Sequence, residues 1–512
     1  MKLVLSDDKR FFIVIGSSSS ELEQLEYSLT KKLDNFYIMQ KKNPNWNCEI
    51  KFIDKYSRIP IGLLWELKNI SKKYDIPMDV SGVDEIYDND FDNEGFLTWM
   101  NGYFSKSIKI KPRDYQIEGT LKLFKYKNCT EEISTSGGKT LIGFLFFKYL
   151  REIKYIKKLL YVVPSKGLVG QSEDKFYEYE DHCKKKPDWK SMTIFGDAPD
   201  YEEGYEPDIV FGTYQSLVKK NLQFFQQFDA VIIDESHLAS STSHKNILIK
   251  CINAKYKVGL TGTLPKDGSC DSFIIQSYLG PKVFTLKSDV LIEEGSATPI
   301  NVVGLEMHYL DEQIKSNLYD MRNVSADEKD GAKLLNLEKD VMRSNRKRFN
   351  YVCQTINKVT KNSLVLFGDI KNDYGRNIYN WLNENTDHTV FYMDGGTDNK
   401  NREYYKQQME TAENVIIVAS VGTFSEGIDV KKLFNIFLVE SCKSEQIIAQ
   451  ILGRGMRIFE TKQLVYLFDF IDNYMFGSNK YQHKNYLMRH ADERARIYRE
   501  RKFPYKRFIV KL

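Results

Sequence analysis

The sequence predicts an α/β protein: two successive parallel sheets, preceded by a small α+β region and followed by a basic helical segment. Three observations carry that expectation. Short runs rich in Val, Ile and Leu alternate with helical segments from about residue 110 to 475. An acidic motif stands at the end of one of these runs, and a phosphate-binding loop opens a helical segment. The chain's 512 residues are too many for a single compact core.

Composition narrows the class further. Hydrophobic residues make up 42% and charged residues 28%, which excludes a disordered chain, a collagen and a coiled coil. Lys plus Arg is 74 against 70 Asp plus Glu, a net charge of +4, so any nucleic-acid footprint has to be local. Seven well-separated cysteines form no CxxC, and the histidines do not cluster near them. A disulfide frame and a structural zinc are therefore not expected, and a reducing compartment is. The start, MKLVLSDDKR, turns acidic too early for a signal peptide. The most apolar stretch, Leu141–Leu150, is ten residues containing Lys148, too short to span a bilayer. We expect a soluble cytoplasmic protein with no membrane partner.

Residues 1–95 read as the small α+β region, with a strand Phe11–Ile15, a helix from Glu21, a strand Cys48–Asp54 and a helix from Gly62. Six acids and no base between Asp84 and Glu94 read as a solvated connection, which sets the boundary. Trp46 and Trp65 read as core rather than as base-stacking platforms. Asp34 with Glu49 and Lys51 mimics the two-carboxylate-plus-lysine set of metal-dependent nucleases, but Ile50 and Phe52 between the charges read as one ordinary strand. Residues 96–295 hold the first sheet: LLYVV at 159, IVF at 209, AVIID at 230 and VGLTG at 258. Residues 296–475 hold the second: LVLFG at 364, VFYMD at 390, VIIVAS at 415, IFLVE at 436 and LVYLFD at 464. Residues 476–512 carry 11 Lys/Arg against 3 Asp/Glu, and a helix there is crowded with Arg489, Arg494, Arg496, Arg499, Arg501 and Lys502. Contact with a phosphate backbone, without base readout, is the expectation for it.

Three motifs carry chemistry. Ser134-Thr135-Ser136-Gly137-Gly138-Lys139-Thr140 precedes the apolar run LIGFLFF, and Ile133 stands where the strict pattern has Gly. Backbone N–H groups of such a loop at a helix N-terminus hold phosphate oxygens. Lys139 is expected on the β/γ-phosphates of ATP and Thr140 on Mg²⁺. Asp234-Glu235-Ser236-His237 ends an apolar strand, where Asp234 holds the metal and Glu235 polarises the attacking water. Gln450-Ile-Leu-Gly453-Arg454-Gly-Met-Arg457 puts two arginines three apart on one helical face, able to reach a γ-phosphate. Such arginines are worth about 10³–10⁵ in rate.

Together these residues resemble the superfamily-two helicases, in order from about 110 to 475. Arg113-Asp114-Tyr115-Gln116 is similar to that family's adenine-reading element. Pro164-Ser165-Lys166 and Gly212-Thr213-Tyr214-Gln215 are similar to its first-core strand-gripping motifs. Gly368, Gly396 and Ser420–Asp429, with Thr423, Gly427 and Asp429, are similar to the second-core counterparts. His237 and Thr261-Gly262-Thr263 stand where the family couples nucleotide state to the motor. The resemblance implies two tandem RecA-like cores, the first binding ATP and the second supplying arginines. Outside the motor, Trp46–Phe52, Arg58–Leu63 and the LFDFIDN run at 467 resemble the UvsW-type branched-DNA helicases of phages, as do the phosphate loop and SVGTFSEGIDV at 420. This implies a motor in the host-cell cytoplasm, acting in recombination, repair and replication; the sequence does not fix its oligomeric state, and a monomer is favoured. It would act on forks, Holliday junctions, R-loops and D-loops, gripping DNA by its phosphates. A restriction-complex motor subunit and an RNA helicase share the core and remain alternatives. A scaffold with a dead ATPase is opposed by the joint presence of Lys139, Asp234, Glu235, Arg454 and Arg457.

Overall fold

The computed structural model describes the chain except residues 34–35, 37–39, 41–42, 44, 83–86, 89, 108, 197–204, 310–330, 369, 426–429 and 475–483, and except the side chains of 331, 332, 371, 424 and 425. It forms two units, Met1–Leu286 and Lys287–Leu512.

The first unit opens with β1 (Lys2–Leu5), β2 (Phe11–Ile15), β5 (Arg58–Pro60) and β6 (Asp79–Val80), arranged in the order β5-β2-β1-β6, with a separate pair of β3 (Thr30–Lys32) and β4 (Glu49–Lys51). Leu3, Phe12, Leu25, Leu63 and Leu67 bury one face of this small region against Cys270, Phe273 and Ile274 of the helix Cys270–Leu279. The approach is close enough that a Cβ on Gly62 would come within 1.8 Å of the Gln276 carbonyl oxygen. Trp46 and Trp65 depart from the expectation: each stays more than a third exposed, and Trp65 packs edge-on to Tyr87 rather than inside a core. Of the nuclease-like set, Asp34 lies outside the described residues and Lys51 pairs with Glu26.

The larger sheet of this unit is wholly parallel, in the order β13-β7-β12-β11-β8-β10-β9. Its strands are β7 (Asn128–Ile133), β8 (Leu159–Val163), β9 (Ser191–Ile194), β10 (Ile209–Thr213), β11 (Ala230–Asp234), β12 (Tyr256–Thr261) and β13 (Lys282–Leu286). Helices on both faces leave every residue of β8 and β10 buried, which is why these strands read as unbroken apolar runs. β7 escapes that reading because two glutamates interrupt it. Glu131 is fully buried beneath Gly119, with neither carboxyl oxygen hydrogen-bonded to a described residue. Burial pushes its carboxyl up to about 8.

The second unit is a wholly parallel sheet in the order β16-β17-β15-β18-β19-β14-β20. The expected runs become β15 (Ser363–Phe367), β16 (Thr389–Met393), β17 (Val415–Ser420), β18 (Asn435–Leu438) and β19 (Val465–Asn473). β14 (Ile300–His308) and β20 (Tyr505–Lys511) complete it. The described part of the basic C-terminal segment therefore holds a strand as well as the helix Tyr486–Glu500. Pro504 stops the helical run, and alternating Tyr505, Arg507 and Ile509 suit a strand pairing with β14.

Two acids of β19 hold buried arginines. The Arg348 Nε donates to Asp472 at 2.6 Å, and another of its nitrogens donates to the Val439 carbonyl. Arg494 lies 2.7 Å from Asp469 and also donates to the Cys442 carbonyl; it is 1% exposed. This corrects the expectation for Arg494: its guanidinium is sealed in the core and cannot meet a phosphate. The helix turns Arg489, Arg496 and Arg499 outward instead, with Arg496 paired to Glu493 and Glu500. Among the described residues no three His, Cys, Asp or Glu side chains form a metal cluster, and no helix is long and apolar enough to cross a membrane.

Removing one partner of a buried pair strands the other charge, so Arg494→Ala is expected to destabilise the second unit by about 3–5 kcal/mol, read as a lowered denaturation midpoint. Glu131 generates a pH effect of defined sign. The unfolded chain ionises near pH 4.5, whereas the folded chain keeps the proton to about pH 8. Stability should fall as pH rises across that window, by up to about 1.4 kcal/mol per unit. Thermal melts of Glu131→Gln should lack that part of the slope.

Candidate active site

In a parallel sheet all carboxyl ends emerge at one edge, and β7, β12 and β11 are consecutive neighbours. The phosphate loop, Asp234-Glu235 and Thr261-Gly262-Thr263 therefore meet although more than a hundred residues of chain separate the loop from Thr261. The loop is drawn tight by the Gly137 N–H donating to the Ser134 carbonyl at 2.9 Å, and Ser134 N–H bonds the Leu286 carbonyl of β13. Ser136 and Gly138 both take left-handed backbone, φ +75 and +82. Gly138 is the N-cap of the helix Lys139–Glu152, whose first N–H groups face the loop. A Cβ at Gly138 would lie 2.1 Å from Gln116 Nε2. Gln116 is buried; its Oε1 accepts from the Arg113 N–H and its Nε2 donates to the Gly137 carbonyl, so this element braces the loop.

The charged centre is a connected set. Lys139 Nζ stands 3.3 Å from Glu235 Oε1, and Glu235 Oε2 lies 3.3 Å from His237 Nδ1. Thr261 Oγ1 lies 2.9 Å from His237 Nδ1, 3.2 Å from Glu235 Oε2 and 3.0 Å from the Thr263 carbonyl. One hydroxyl hydrogen cannot serve both oxygens, so Thr261 links the histidine, the acid and the Thr263 turn. Glu235 itself holds φ +51, the left-handed region, strain of a kind that gathers at functional sites. Burial and the adjoining Glu235 carboxylate push Asp234 up. Burial also works against the charge on Glu235, but Lys139 and His237 outweigh it and hold the carboxyl below its ordinary range.

This donor set suits a nucleotide with a hard cation. Two adjoining acids share one lysine, and Thr140 and Asp234 offer oxygen ligands of the type Mg²⁺ takes. Gly262 leaves the loop open, since a Cβ there would stand 3.3 Å from Thr135 Oγ1 and 3.6 Å from Lys139 Nζ.

Other expected residues are placed as follows. Ser165 caps the helix Lys166–His182 after β8, beside Pro164, and Lys166 is exposed, whereas Gly212 and Thr213 are buried at the end of β10. In the second unit, Gln450 and Arg454 lie on the helix Glu445–Gly455. Arg457 falls just past it rather than on its face, where the Met456 and Arg457 carbonyls accept from the Thr298 N–H and hydroxyl, just before β14. Gly368 and Gly396 are exposed after β15 and β16, Thr423 is buried after β17, and Gly427 and Asp429 lie outside the described residues. Glu440 was missed: it accepts from the Gly368 N–H and from Arg343 Nε at 2.6 Å. An acid closing an apolar run, as Asp234 does, was the available signal.

Two parallel seven-stranded sheets, one ending in a phosphate loop with an Asp-Glu pair and the other in a Gln-Arg helix, define a two-core nucleotide-driven motor. The chain belongs to the superfamily-two helicases and is an ATP-dependent helicase, an ATP hydrolase. The family model for the type III restriction enzyme res subunit matches residues 109–266, and that for the helicase conserved C-terminal domain matches 347–459. The ATP-dependent DNA helicase uvsW of Enterobacteria phage T4 is 28% identical over 483 residues, covering 90% of each chain. Among solved structures, the ATP-dependent Type ISP restriction-modification enzyme LlaBIII bound to DNA aligns with a TM-score of 0.54 at 16% identity, covering 78% of this chain and 31% of that one. S. cerevisiae Dbp5 bound to RNA and ADP BeF3 aligns at 0.50 and 13%, covering 81% and 93%. These two likenesses show the fold.

Gly138→Ala should drive a Cβ into Gln116 and strain the loop. A fluorescent-nucleotide titration is expected to show affinity weakened about tenfold or more, equal to about 1.4 kcal/mol.

Proposed function

We propose that the protein is an ATP-dependent DNA helicase that remodels branched duplexes. The observation that carries this reading is the match to uvsW over 90% of both chains, more than the two motor cores alone occupy. The working division is that region at 1–95, an ATP-binding core at 96–295, an arginine-bearing core at 296–475 and a basic segment at 476–512, in a monomer working in the host-cell cytoplasm.

Each role follows from the chemistry at the sheet edge. Lys139 and the loop N–H groups hold the β/γ-phosphates, with Arg113 and Gln116 on the adenine side. Thr140 and Asp234 hold Mg²⁺, which when bound neutralises phosphate charge. Glu235, kept ionised by Lys139 and His237, accepts the proton of the attacking water. Gln450, Arg454 and Arg457 stabilise charge developing on the γ-phosphate, and Gly427 and Asp429 belong to the same nucleotide set. The His237–Thr261–Thr263 link transmits whether Glu235 faces a phosphate. Exposed Lys166, Gly368, Gly396, Arg496 and Arg499, with Arg501, meet the DNA phosphates.

Lys139→Ala should abolish ATP hydrolysis while leaving DNA binding within about threefold in a gel-shift assay. ATP turnover and strand separation compared on a fork, a four-way junction, an R-loop, linear duplex, single strands and RNA test the substrate reading. Strongest stimulation by branched DNA is expected; equal stimulation by linear duplex would sink it. Cleavage of any substrate would favour the restriction-motor alternative.

A further inference from the structure

Lys462 lies seven residues beyond the helix Glu445–Gly455, outside every motif considered above. It is 6% exposed, yet it keeps an ammonium group in the core. Its Nζ donates to the Gly455 carbonyl at 3.1 Å and to the Lys431 carbonyl at 2.8 Å. Gly455 is the last residue of the helix carrying Gln450 and Arg454, so the first bond satisfies a carbonyl that has no partner within the helix. It also sets positive charge at the negative end of the helix dipole. Lys431 begins the segment that runs into β18, and its N–H is accepted by Glu410 of the helix Asn399–Thr411. One side chain thus ties the end of the arginine-bearing helix to the Lys431 segment, which Glu410 in turn holds to a neighbouring helix. Burial pushes the ammonium down to about 8, with Glu410 opposing the shift and Arg457 adding like-charge repulsion. A methionine of similar length would fill this space without that electrostatic cost. What it would lose is two directional bonds to backbone carbonyls.

We propose that Lys462 is a positioning residue for ATP hydrolysis, clamping the C-terminal end of the arginine-bearing helix to the Lys431 segment so that Arg454 holds the orientation that the transition state requires. This rests on the assignment of that arginine to the γ-phosphate. Misplacing a charge-stabilising group should lower turnover more than ground-state nucleotide binding.

The test uses the full chain with Lys462→Met, Arg454→Ala and the double variant, in DNA-stimulated ATP turnover and nucleotide titrations. Lys462→Met should lower kcat about 10–100-fold with KM for ATP within about threefold. The double variant should be no slower than Arg454→Ala alone, because the clamp acts through that arginine. Unchanged kcat in Lys462→Met, or losses that multiply in the double variant, would overturn the proposal. Should Arg454→Ala itself retain full turnover, the arginine assignment fails rather than the clamp geometry. If the methionine variant does not fold, Lys462→Gln decides: the same kcat-specific loss supports the clamp, and wild-type kcat overturns it.

Discussion

Parallel pairing of β7, β12 and β11 is the constraint on which the site depends. Leu260 faces Asp234 across one ladder and Glu132 faces Thr261 across the other, so three chain segments deliver their functional ends at one height. Reversing any of these strands would send its motif to the opposite edge. The second sheet obeys the same rule: Gly368, Gly396, Thr423 and Glu440 all follow the carboxyl ends of neighbouring strands.

The protein buries charge in two ways. Arg348 with Asp472 and Arg494 with Asp469 are closed sets, in which nearby carbonyls and hydroxyls complete the arginines' hydrogen bonding. Closed sets of this kind hold a core in one register. Lys139, Asp234 and Glu235 form an open set: two acids on one lysine, Asp234 pushed up and Glu235 held down. That imbalance is what a bound cation and phosphate can resolve, and it separates a site from a structural ion pair.

The apolar runs were legible because strands covered on both faces have no polar alternation to obscure them, and all nine runs became strands of the two large sheets. Two of the strands that were missed, β7 and β20, lacked that signature. β7 carries two glutamates, and β20 mixes Lys506 and Arg507 with aromatic residues at a sheet edge, where one side needs no apolar cover. Arginine density misled for a related reason. Arg494 and Arg499 look alike along the chain, but five residues on a helix turn one toward Asp469 and leave the other outside. Trp46 and Trp65 misled in the opposite sense: size suggested burial, yet the core of the small N-terminal region is filled by Leu3, Phe12, Leu25, Leu63 and Leu67, and both tryptophans stay more than a third exposed.

The amino-acid order alone determined the parallel α/β class, the phosphate loop and the Asp-Glu pair, because these depend on local spacing: glycines that permit a tight turn, a strand that ends in acid. Only the tertiary structure decided which charges face solvent, that Arg457 leaves its helix, and that Glu440 holds backbone beyond the carboxyl end of β18 while Lys462 holds it before the amino end of β19. Those outcomes depend on partners brought from distant parts of the chain, such as Thr298 for Arg457 and Lys431 for Lys462, and spacing along a sequence carries no record of them.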